Sequence, residues 1–166
     1  MAFGYNERHW KIVWNLKIMR NPIGFEIRTE VRQSARQVFA GFDRTLFMQL
    51  RPPLMPFQLL RFDGCAEGDE VHIRMGLLGE WRARVIEKAE RPEEIRFVDV
   101  GDRLPFPLKQ WRHTHRILHL STGGAVIVDH ISYDCGGWIR NRLMYLPLKL
   151  LFLLRRPVYR RIFDLS

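Results

Sequence analysis

The sequence has few of the features that hold together disulfide-rich, cysteine–metal or membrane-spanning proteins. Cys65 and Cys135 are the only two cysteines among 166 residues, so they provide neither a disulfide framework nor a cysteine metal quartet. We therefore expect free thiols in a reducing compartment, with a single bridge between them as the open alternative. The longest apolar stretch, Leu143 to Leu154, covers about a dozen residues and includes Pro147 and Lys149, which is too short for a bilayer span.

Several motifs of targeted proteins and enzymes are also missing. Residues 10–19 are interrupted by two lysines and one asparagine and are not followed by a small-residue cleavage site, so they do not indicate a secretory signal. Ser121 is expected in a hairpin turn and not in the strand-to-helix elbow of hydrolases. Gly123-Gly124 joins two expected strands and does not open a helix, so it is not a phosphate-binding loop. The expected location is the cytoplasm.

The net charge of +9 is confined to the two ends of the chain. Residues 1–22 contain four basic residues and one acidic residue, and residues 136–166 contain seven basic residues and one acidic residue. Residues 23–135 contain 16 basic and 16 acidic residues and are therefore neutral. A nucleic-acid-binding domain usually spreads its basic residues over a folded face. We therefore expect no nucleic-acid partner.

The basic ends leave two interpretations open. Residues 1–22 are predicted to be a basic amphipathic extension, with Trp10 and Trp14 at helical spacing, and residues 23–166 a separate folded domain. The simpler interpretation is an N-terminal extension and a solvated face on the C-terminal helix. The alternative is peripheral contact with an anionic membrane, where each cation contributes about 1 kcal/mol.

Apolar and polar residues alternate in about seven segments, which predicts strands joined mostly by short turns. The first is Phe25 to Val31, with Phe25 and Ile27 on its inward face. Ser34, with Gln37 as capping-box partner, and Asp43 are expected to cap two short helices between the first two strands. Short connections favour an antiparallel, strongly curved sheet.

Residues from Trp138 to Phe163 are predicted to form a C-terminal helix with interruptions. Pro147 is expected to bend it, and Pro157 could restart it as a second piece. Apolar residues recur every three or four positions and are expected to form a stripe that faces inward: Ile139, Leu143, Leu146, Leu150, Leu151 and Leu154.

Two consecutive strands combine aromatic, imidazole and carboxylate side chains on one face. Trp111, His113 and His115 share a face of the first strand, and Asp129 and Tyr133 share a face of the second. The loop between them is expected to pair His113 with Tyr133 and His115 with Ile131, leaving Asp129 diagonal to His115. Such a mixture is unusual in a plain core, and we interpret it as the wall of a ligand cavity.

Several short motifs together resemble one superfamily. They are Pro52-Pro53, Asp63-Gly64, Phe97-Val98-Asp99, the W-x-H-x-H of Trp111, His113 and His115, and the D-x-I-x-Y of Asp129, Ile131 and Tyr133. With the order of elements, they resemble the uncharacterised bacterial ligand-binding branch of the START/Bet v 1-like (SRPBCC) superfamily over roughly residues 24–164. The resemblance implies an α+β helix-grip fold, in which a curved antiparallel sheet and a long C-terminal helix enclose a cavity.

The function that this resemblance implies is binding of a small, largely hydrophobic ligand or lipid, with transport of that ligand as an open extension. The expected apolar wall consists of Phe25, Ile27, Val71, Ile73, Met75, Trp81, Leu143 and Leu150. The expected polar contacts are Asp99, Trp111, His113, His115, Asp129 and Tyr133. A buried hydrogen-bonded network of these polar residues is compatible with both structural support and ligand contact.

Three other functions remain as alternatives. The first is a cyclase-like or hydratase-like enzyme in which Asp129 orients His115 for proton transfer. The second is a lipid-transfer protein that docks on membranes through its basic ends. The third is a metal site at His113 and His115, with Asp99, Asp129 or Asp134 as oxygen ligand; we expect neither metal nor cofactor, because the fold is normally metal-free. The sequence does not indicate an oligomeric state.

Overall fold

The computed structural model describes residues 22–53 and 55–164. The predicted extension of residues 1–22 therefore lies outside the described residues, except for Pro22. The strands are β1 (Ile23–Val31), β2 (Gln58–Phe62), β3 (Glu70–Arg74), β4 (Glu80–Glu90), β5 (Glu94–Arg103), β6 (Gln110–His119) and β7 (Ala125–Asp134). The α-helices are α1 (Ala35–Ala40), α2 (Arg44–Gln49), α3 (Trp138–Leu153) and α4 (Arg155–Phe163), and a 3-10 helix covers Gly76–Leu78.

The strands form one antiparallel sheet in the order β1-β7-β6-β5-β4-β3-β2. Strands β2 to β7 follow one another as a meander, and β1 pairs with β7 at the far edge. Short connections allow this neighbour-to-neighbour order, whereas parallel pairing would need long crossovers. The predicted α+β helix-grip fold is confirmed: the curved seven-stranded sheet packs against two short helices and the C-terminal helices.

Local sequence signals explain how the first elements form. Phe25, Ile27 and Val31 are buried and alternate with exposed charged residues along β1, as the pattern predicts for a half-buried strand. Gln37 Oε1 accepts a hydrogen bond from the backbone N–H of Ser34 at 3.0 Å at the start of α1. Asp43 Oδ1 accepts one from the backbone N–H of Leu46 at 2.8 Å and so caps α2.

The pairing of β6 with β7 differs from the predicted register by two residues. Trp111 pairs with Tyr133, His113 with Ile131 and His115 with Asp129. The prediction that placed His113 opposite Tyr133 was therefore wrong, although the inward faces are the predicted ones. Side chains repeat every second residue, so a two-residue shift changes the partners and leaves the faces unchanged.

The C-terminal segment forms two helices, and its predicted inward stripe faces solvent except at Leu151, which lines the cavity. Leu143, Leu146 and Leu150 are 70%, 60% and 51% exposed. The residues that α3 buries are instead Asn141, Leu148 and Phe152. Two hydrogen bonds fix the rotation of the helix at its start: Tyr133 Oη donates to the carbonyl of Asn141 at 2.7 Å, and Asn141 Oδ1 accepts from the backbone N–H of Cys135 at 2.6 Å.

Two apolar clusters make up the core. The first joins β1, α1 and α4 around Val38, Ile117 and Tyr159, and the second joins the sheet to α3 around Trp111, Ile131 and Phe152. His113 and His115 lie between Trp111 and Ile117 along β6, and so between the two clusters. Among residues 22–53 and 55–164, no helix is long and apolar enough to cross a membrane.

Candidate functional site

A cavity of about 490 Å³ lies between the inner face of the sheet and the helices. Its walls come from β3, β4, β5 and β6, from α2 and from α3, and most of the lining side chains are apolar. The predicted cavity residues that line it are Val71, Ile73, Met75, Trp81, Asp99, Trp111, His113 and His115. Whether they contact a ligand stays a prediction.

The remaining predicted cavity residues lie elsewhere. Phe25 packs edge-on against Tyr145 and Phe152 in the core, and Ile27 is buried in the same cluster. Tyr133 is fully buried outside the cavity. Its hydroxyl donates a hydrogen bond to a backbone carbonyl of α3. None of these side chains lines the cavity because β1 and the end of β7 are covered directly by α3.

Leu143 and Leu150 were expected on the cavity wall and lie on the opposite side of α3. Both are more than half exposed. Leu148 and Leu151 supply the cavity wall in their place. The reason is that α3 carries apolar residues around its whole circumference, so the three-to-four-residue spacing alone could not identify the buried face.

Asp99, His113 and His115 form a compact polar group in the cavity lining, which we call the polar floor. The charged residues Asp43, Arg51 and Arg155 also line the cavity. Asp99 on β5 pairs with His113 on β6, and the side chain of His115 follows on the same face. Asp99 Oδ2 lies 3.2 Å from His115 Nε2 and 3.7 Å from His113 Nδ1. The two imidazole rings lie side by side with their centroids 3.6 Å apart.

Asp129 lies behind the polar floor and does not line the cavity. Its side chain is 1% exposed, and its Oδ1 lies 2.9 Å from His113 Nε2 and 3.5 Å from His115 Nδ1. The hydrogen-bonded partner of Asp129 is thus His113, whereas the predicted acid–base pair was His115 and Asp129. The Arg155 guanidinium stands 3.9 Å from the same carboxylate oxygen and partly balances its charge.

Burial and mutual contact perturb the titration of this cluster. Burial, followed by the neighbouring His115, lowers the pKa of His113 to about 4 against the opposing pull of Asp129. Burial by itself would raise the pKa of Asp129, but the hydrogen bond to His113 and the charge of Arg155 lower that pKa to about 2. Near neutral pH the cluster therefore contains an ionised Asp129 and an uncharged His113.

Aromatic rings hold both imidazoles in place. Phe97 stacks on His115 with ring centroids 4.1 Å apart and planes 12° apart. Phe152 approaches His113 edge-on at 5.0 Å. Arg155 makes a cation–π contact with Phe152, and its guanidinium carbon lies 4.0 Å from the centroid of that ring. Side chains that are packed this closely lose little rotamer freedom when they bind a ligand.

The cavity meets solvent at two loops. Leu78, in the 3-10 helix before β4, and Phe106, between β5 and β6, line the cavity and are 50% and 83% exposed. Residues that belong both to the wall and to the surface define a mouth. Leu77 beside them is fully exposed, so the rim is apolar at these two loops. The charged residues Asp43 and Arg51 also line the cavity and are exposed.

Sequence reasoning missed several side chains of the site. Phe42, Phe97, Phe152 and Arg155 line the cavity but were not singled out. The Phe-Val-Asp motif already contained Phe97, two positions before Asp99 and on the same strand face, so alternation could have found it. Arg155 was counted only as part of the basic end, and no sequence signal connects it with Asp129.

A row of exposed apolar side chains runs along the outer side of α3. It consists of Ile139, Leu143, Leu146, Leu150 and Leu154, which we call the leucine stripe. Arg140 and Arg142 are exposed beside its first turns. The sequence from Cys135 to Phe163 contains no acidic residue. The leucine stripe is therefore an apolar surface in a wholly cationic setting.

Comparisons with known proteins define the fold and not the activity. No protein-family model and no curated protein matches the chain. Norcoclaurine synthase from Thalictrum flavum, in complex with dopamine and hydroxybenzaldehyde, is similar in structure, with a TM-score of 0.57 and 12% identity over 89% of this chain and 84% of that one. A protein from Nitrosospira multiformis gives a TM-score of 0.56 and 14% identity over 84% of this chain and 96% of its own.

The Zhui aromatase/cyclase from Streptomyces sp. R1128 is also similar, with a TM-score of 0.51 and 14% identity over 69% of this chain and 68% of that one. At such identities the similarity shows the fold alone. The chain thus has the Bet v 1-like helix-grip fold that the motifs predicted. The solved structures with this fold include a synthase with bound small molecules and an aromatase/cyclase, so the fold by itself does not identify one activity.

Proposed function

We propose that the protein binds a small, largely apolar ligand in its cavity, with a polar group of the ligand directed at the polar floor. The observation that carries this proposal is the 490 Å³ cavity, whose mostly apolar lining contains the compact polar floor. Ligand sites are typically cavities of about 300–1,000 Å³ with mostly apolar walls and few polar groups. Such walls supply affinity, and the polar groups fix the orientation of the ligand.

The lining favours a ligand that contains an aromatic or other flat apolar group. Rings surround the cavity on several sides: Phe42, Phe47, Phe57, Phe62, Trp81, Phe97, Trp111 and Phe152. Aromatic side chains pack well against ligand rings in offset or edge-on geometry. The structurally similar norcoclaurine synthase was determined with dopamine and hydroxybenzaldehyde, which are both small polar-substituted aromatic compounds. This similarity supports the same ligand class here.

A cavity-filling variant tests the proposal. Ala83 is buried and lines the cavity from β4, so we expect Ala83→Phe to occupy part of the volume and weaken binding at least tenfold. The probe is anilinonaphthalene sulfonate, an aromatic anion whose fluorescence rises in apolar surroundings. Leu150→Ser is the matched control, because it removes apolar surface from the leucine stripe and leaves the cavity intact. Equal probe binding by Ala83→Phe and the wild-type protein would contradict the proposal.

The leucine stripe favours a second function, docking on an anionic membrane surface. Large apolar side chains in a contiguous row are unusual on a protein surface and mark a contact surface for a partner. Here Arg140 and Arg142 flank the row, and no acidic residue lies on α3 or α4. An anionic bilayer satisfies both features, because it accepts apolar side chains and attracts cations. Residues 1–22 are a less suitable partner for the leucine stripe, because they and the C-terminal helices are both cationic.

Membrane docking would bring the cavity close to lipid. Leu148 and Leu151 of α3 line the cavity while Leu146 and Leu150 of the same helix face outward. A hydrophobic ligand would therefore exchange between bilayer and cavity beside the docked helix. This arrangement refines the lipid-transfer alternative, since the contact surface is the side of α3 and not only the basic ends.

Vesicle sedimentation tests the second function. We expect the full chain to sediment with vesicles that contain phosphatidylserine and phosphatidylcholine, and to be released by high salt. The double variant Leu146→Ser/Leu150→Ser should lose most of this binding. A matched double variant on another exposed apolar site, Leu77→Ser/Leu78→Ser, should retain it. Binding that is insensitive to salt and to the α3 substitutions would exclude the leucine stripe as the docking surface.

A further inference from the structure

Three metal-ligating groups converge at the polar floor. One ligand atom each from Asp99, His113 and His115 lies within 4.8 Å of the others. Asp99 Oδ2 stands 3.2 Å from His115 Nε2 and 3.7 Å from His113 Nδ1. Ligand atoms around a tetrahedral zinc ion with bonds of about 2.0 Å are about 3.3 Å apart. The two distances to Asp99 Oδ2 are therefore close to the spacing of ligand atoms in one coordination shell.

The two imidazole rings span the space between two carboxylates. Each ring directs one nitrogen toward Asp99 Oδ2 and the other toward Asp129 Oδ1. The Asp99 side opens into the cavity, whereas Asp129 does not line the cavity and already has Arg155 nearby as counter-charge. A cation that enters through the cavity therefore reaches the Asp99 side.

Asp129 lies where a carboxylate can accept a hydrogen bond from a metal-binding histidine without contacting the metal itself. When the Asp99-facing nitrogens carry lone pairs, the protons of both rings are on the nitrogens that face Asp129. His113 then donates from Nε2 to Asp129 Oδ1 at 2.9 Å, and His115 Nδ1 lies 3.5 Å from the same oxygen without a hydrogen bond to it. Hydrogen bonds of this kind orient metal-binding histidines and raise their basicity. The other tautomer of His115 donates from Nε2 to Asp99 Oδ2 at 3.2 Å and leaves the buried Nδ1 without a hydrogen bond. Binding of a cation would move that proton to Nδ1.

The same tautomers leave three Lewis bases directed at one another. The lone pairs of His113 and His115 and the Asp99 carboxylate then converge on one point in the cavity wall. No Lys or Arg lies within the ion-pair distance of Asp99 among the described residues. A bound cation would replace the hydrogen bond between His115 and Asp99 with coordinate bonds from all three side chains.

We propose that Asp99, His113 and His115 bind a divalent transition-metal ion whose remaining coordination positions face the cavity. Two imidazoles and one carboxylate suit Zn²⁺ or Fe²⁺ better than Mg²⁺, which prefers oxygen ligands. The proposal deepens the proposed function, because a metal at the polar floor selects apolar ligands with an anionic oxygen, such as a carboxylate or a phenolate. The sequence alone led us to expect no metal, because it did not reveal how closely Asp99 approaches both histidines.

Isothermal titration of the full chain with Zn²⁺, after treatment with a chelator, tests the metal site. We expect one saturable site per chain that is lost in Asp99→Asn and in His115→Gln. His130→Gln is the matched control, because His130 is an exposed histidine on the neighbouring strand, and it should bind Zn²⁺ as the wild-type protein does. Asp129→Asn should weaken binding about 10–100-fold, as substitutions of an outer ligand do. Mg²⁺ should not compete.

Circular dichroism of each variant shows whether it folds, and Co²⁺ absorption gives a second measure of coordination. The visible bands of bound Co²⁺ should be lost in Asp99→Asn and His115→Gln and should persist in His130→Gln. Unchanged Zn²⁺ affinity in folded Asp99→Asn and His115→Gln would overturn the proposal, and so would the absence of a saturable site in the wild-type protein. Anilinonaphthalene sulfonate binding in the same chelated samples distinguishes failure of the metal site from failure of the proposed cavity function.

Discussion

Asp129 is a fully buried carboxylate that remains ionised because two neighbours stabilise it. His113 donates a hydrogen bond to it, and Arg155 lies 3.9 Å from the same oxygen. A buried charge without such partners would cost several kcal/mol. At the residue scale, therefore, the site depends on side chains from three different elements, β6, β7 and α4, which must all be in position for the cluster to be stable.

The perturbed pKa values predict a protein that is sensitive to acid. Folded His113 has its pKa lowered from 6.5 to about 4, so between these values the unfolded chain binds a proton that the folded chain does not. Stability therefore falls as the pH drops from 6.5 to 4. The pKa of Asp129 is lowered from 3.8 to about 2, so a second loss follows as the pH drops through that window.

Urea unfolding of the chelator-treated protein at a series of pH values measures both losses. His113→Gln should remove the pH dependence of the unfolding free energy between pH 6.5 and 4. The loss of stability at lower pH, which comes from Asp129, should remain. His119→Gln is the control, because His119 is exposed at the end of β6. If His113→Gln had the wild-type pH profile, the buried uncharged state of His113 would be wrong.

At the scale of elements, α3 separates two surfaces with different roles. Its inner side carries Leu148 and Phe152 against the sheet, and its outer side carries the leucine stripe. A helix that is apolar on all sides usually has partners on all sides. Its orientation here is set at the first turn by the hydrogen bonds of Asn141.

Paired alanine substitutions on α3 should distinguish its two sides. Leu148→Ala removes a buried side chain and should lower the free energy of unfolding by about 2–4 kcal/mol. Leu146→Ala removes an exposed one and should change it by less than about 0.5 kcal/mol. Urea unfolding gives both values with the same residue change in the same helix. Equal losses would show that α3 is rotated relative to the orientation described here.

At the scale of the whole molecule, we expect the free energy of local opening to decrease from the central strands of the sheet toward the edge strand β2. The central strands β5, β6 and β7 pair on both sides. Strands β6 and β7 contribute buried residues to both core clusters, and β5 contributes Ile95 to the first. Strand β2 pairs only with β3, has a register shift between Leu59 and Arg61 and buries none of its residues fully. Edge strands with few buried contacts open at lower free energy than central strands.

Hydrogen exchange followed by mass spectrometry should show this gradient. Amides of β6 and β7 should be protected longest, and amides of β2 should exchange much faster. Because β3, β4 and the loops at the mouth lie on the same side of the sheet as β2, their opening would admit a ligand without unfolding the core. Uniform protection across all seven strands would rule out this route of entry.

The sequence by itself determined the strands, the caps of the short helices and the inward faces of β1, β6 and β7. These features are local: alternation assigns a face from neighbouring residues, and a cap needs only a side chain and the next turn. The short motifs also predicted the helix-grip fold, which the structure confirms. They placed Asp99, His113 and His115 in a predicted polar group with Trp111, Asp129 and Tyr133, and the last two do not line the cavity.

Only the tertiary structure decided the register, the face of α3 and the partners of Asp129. A two-residue shift between β6 and β7 preserves every face, so the alternating pattern cannot detect it; the turn from Leu120 to Gly124 fixes it instead. Likewise, the apolar pattern of α3 fits either orientation, and hydrogen bonds from β7 and the segment after it choose one. Arg155 reaches Asp129 only because α4 packs across the sheet, a contact between residues distant in sequence that no local pattern encodes.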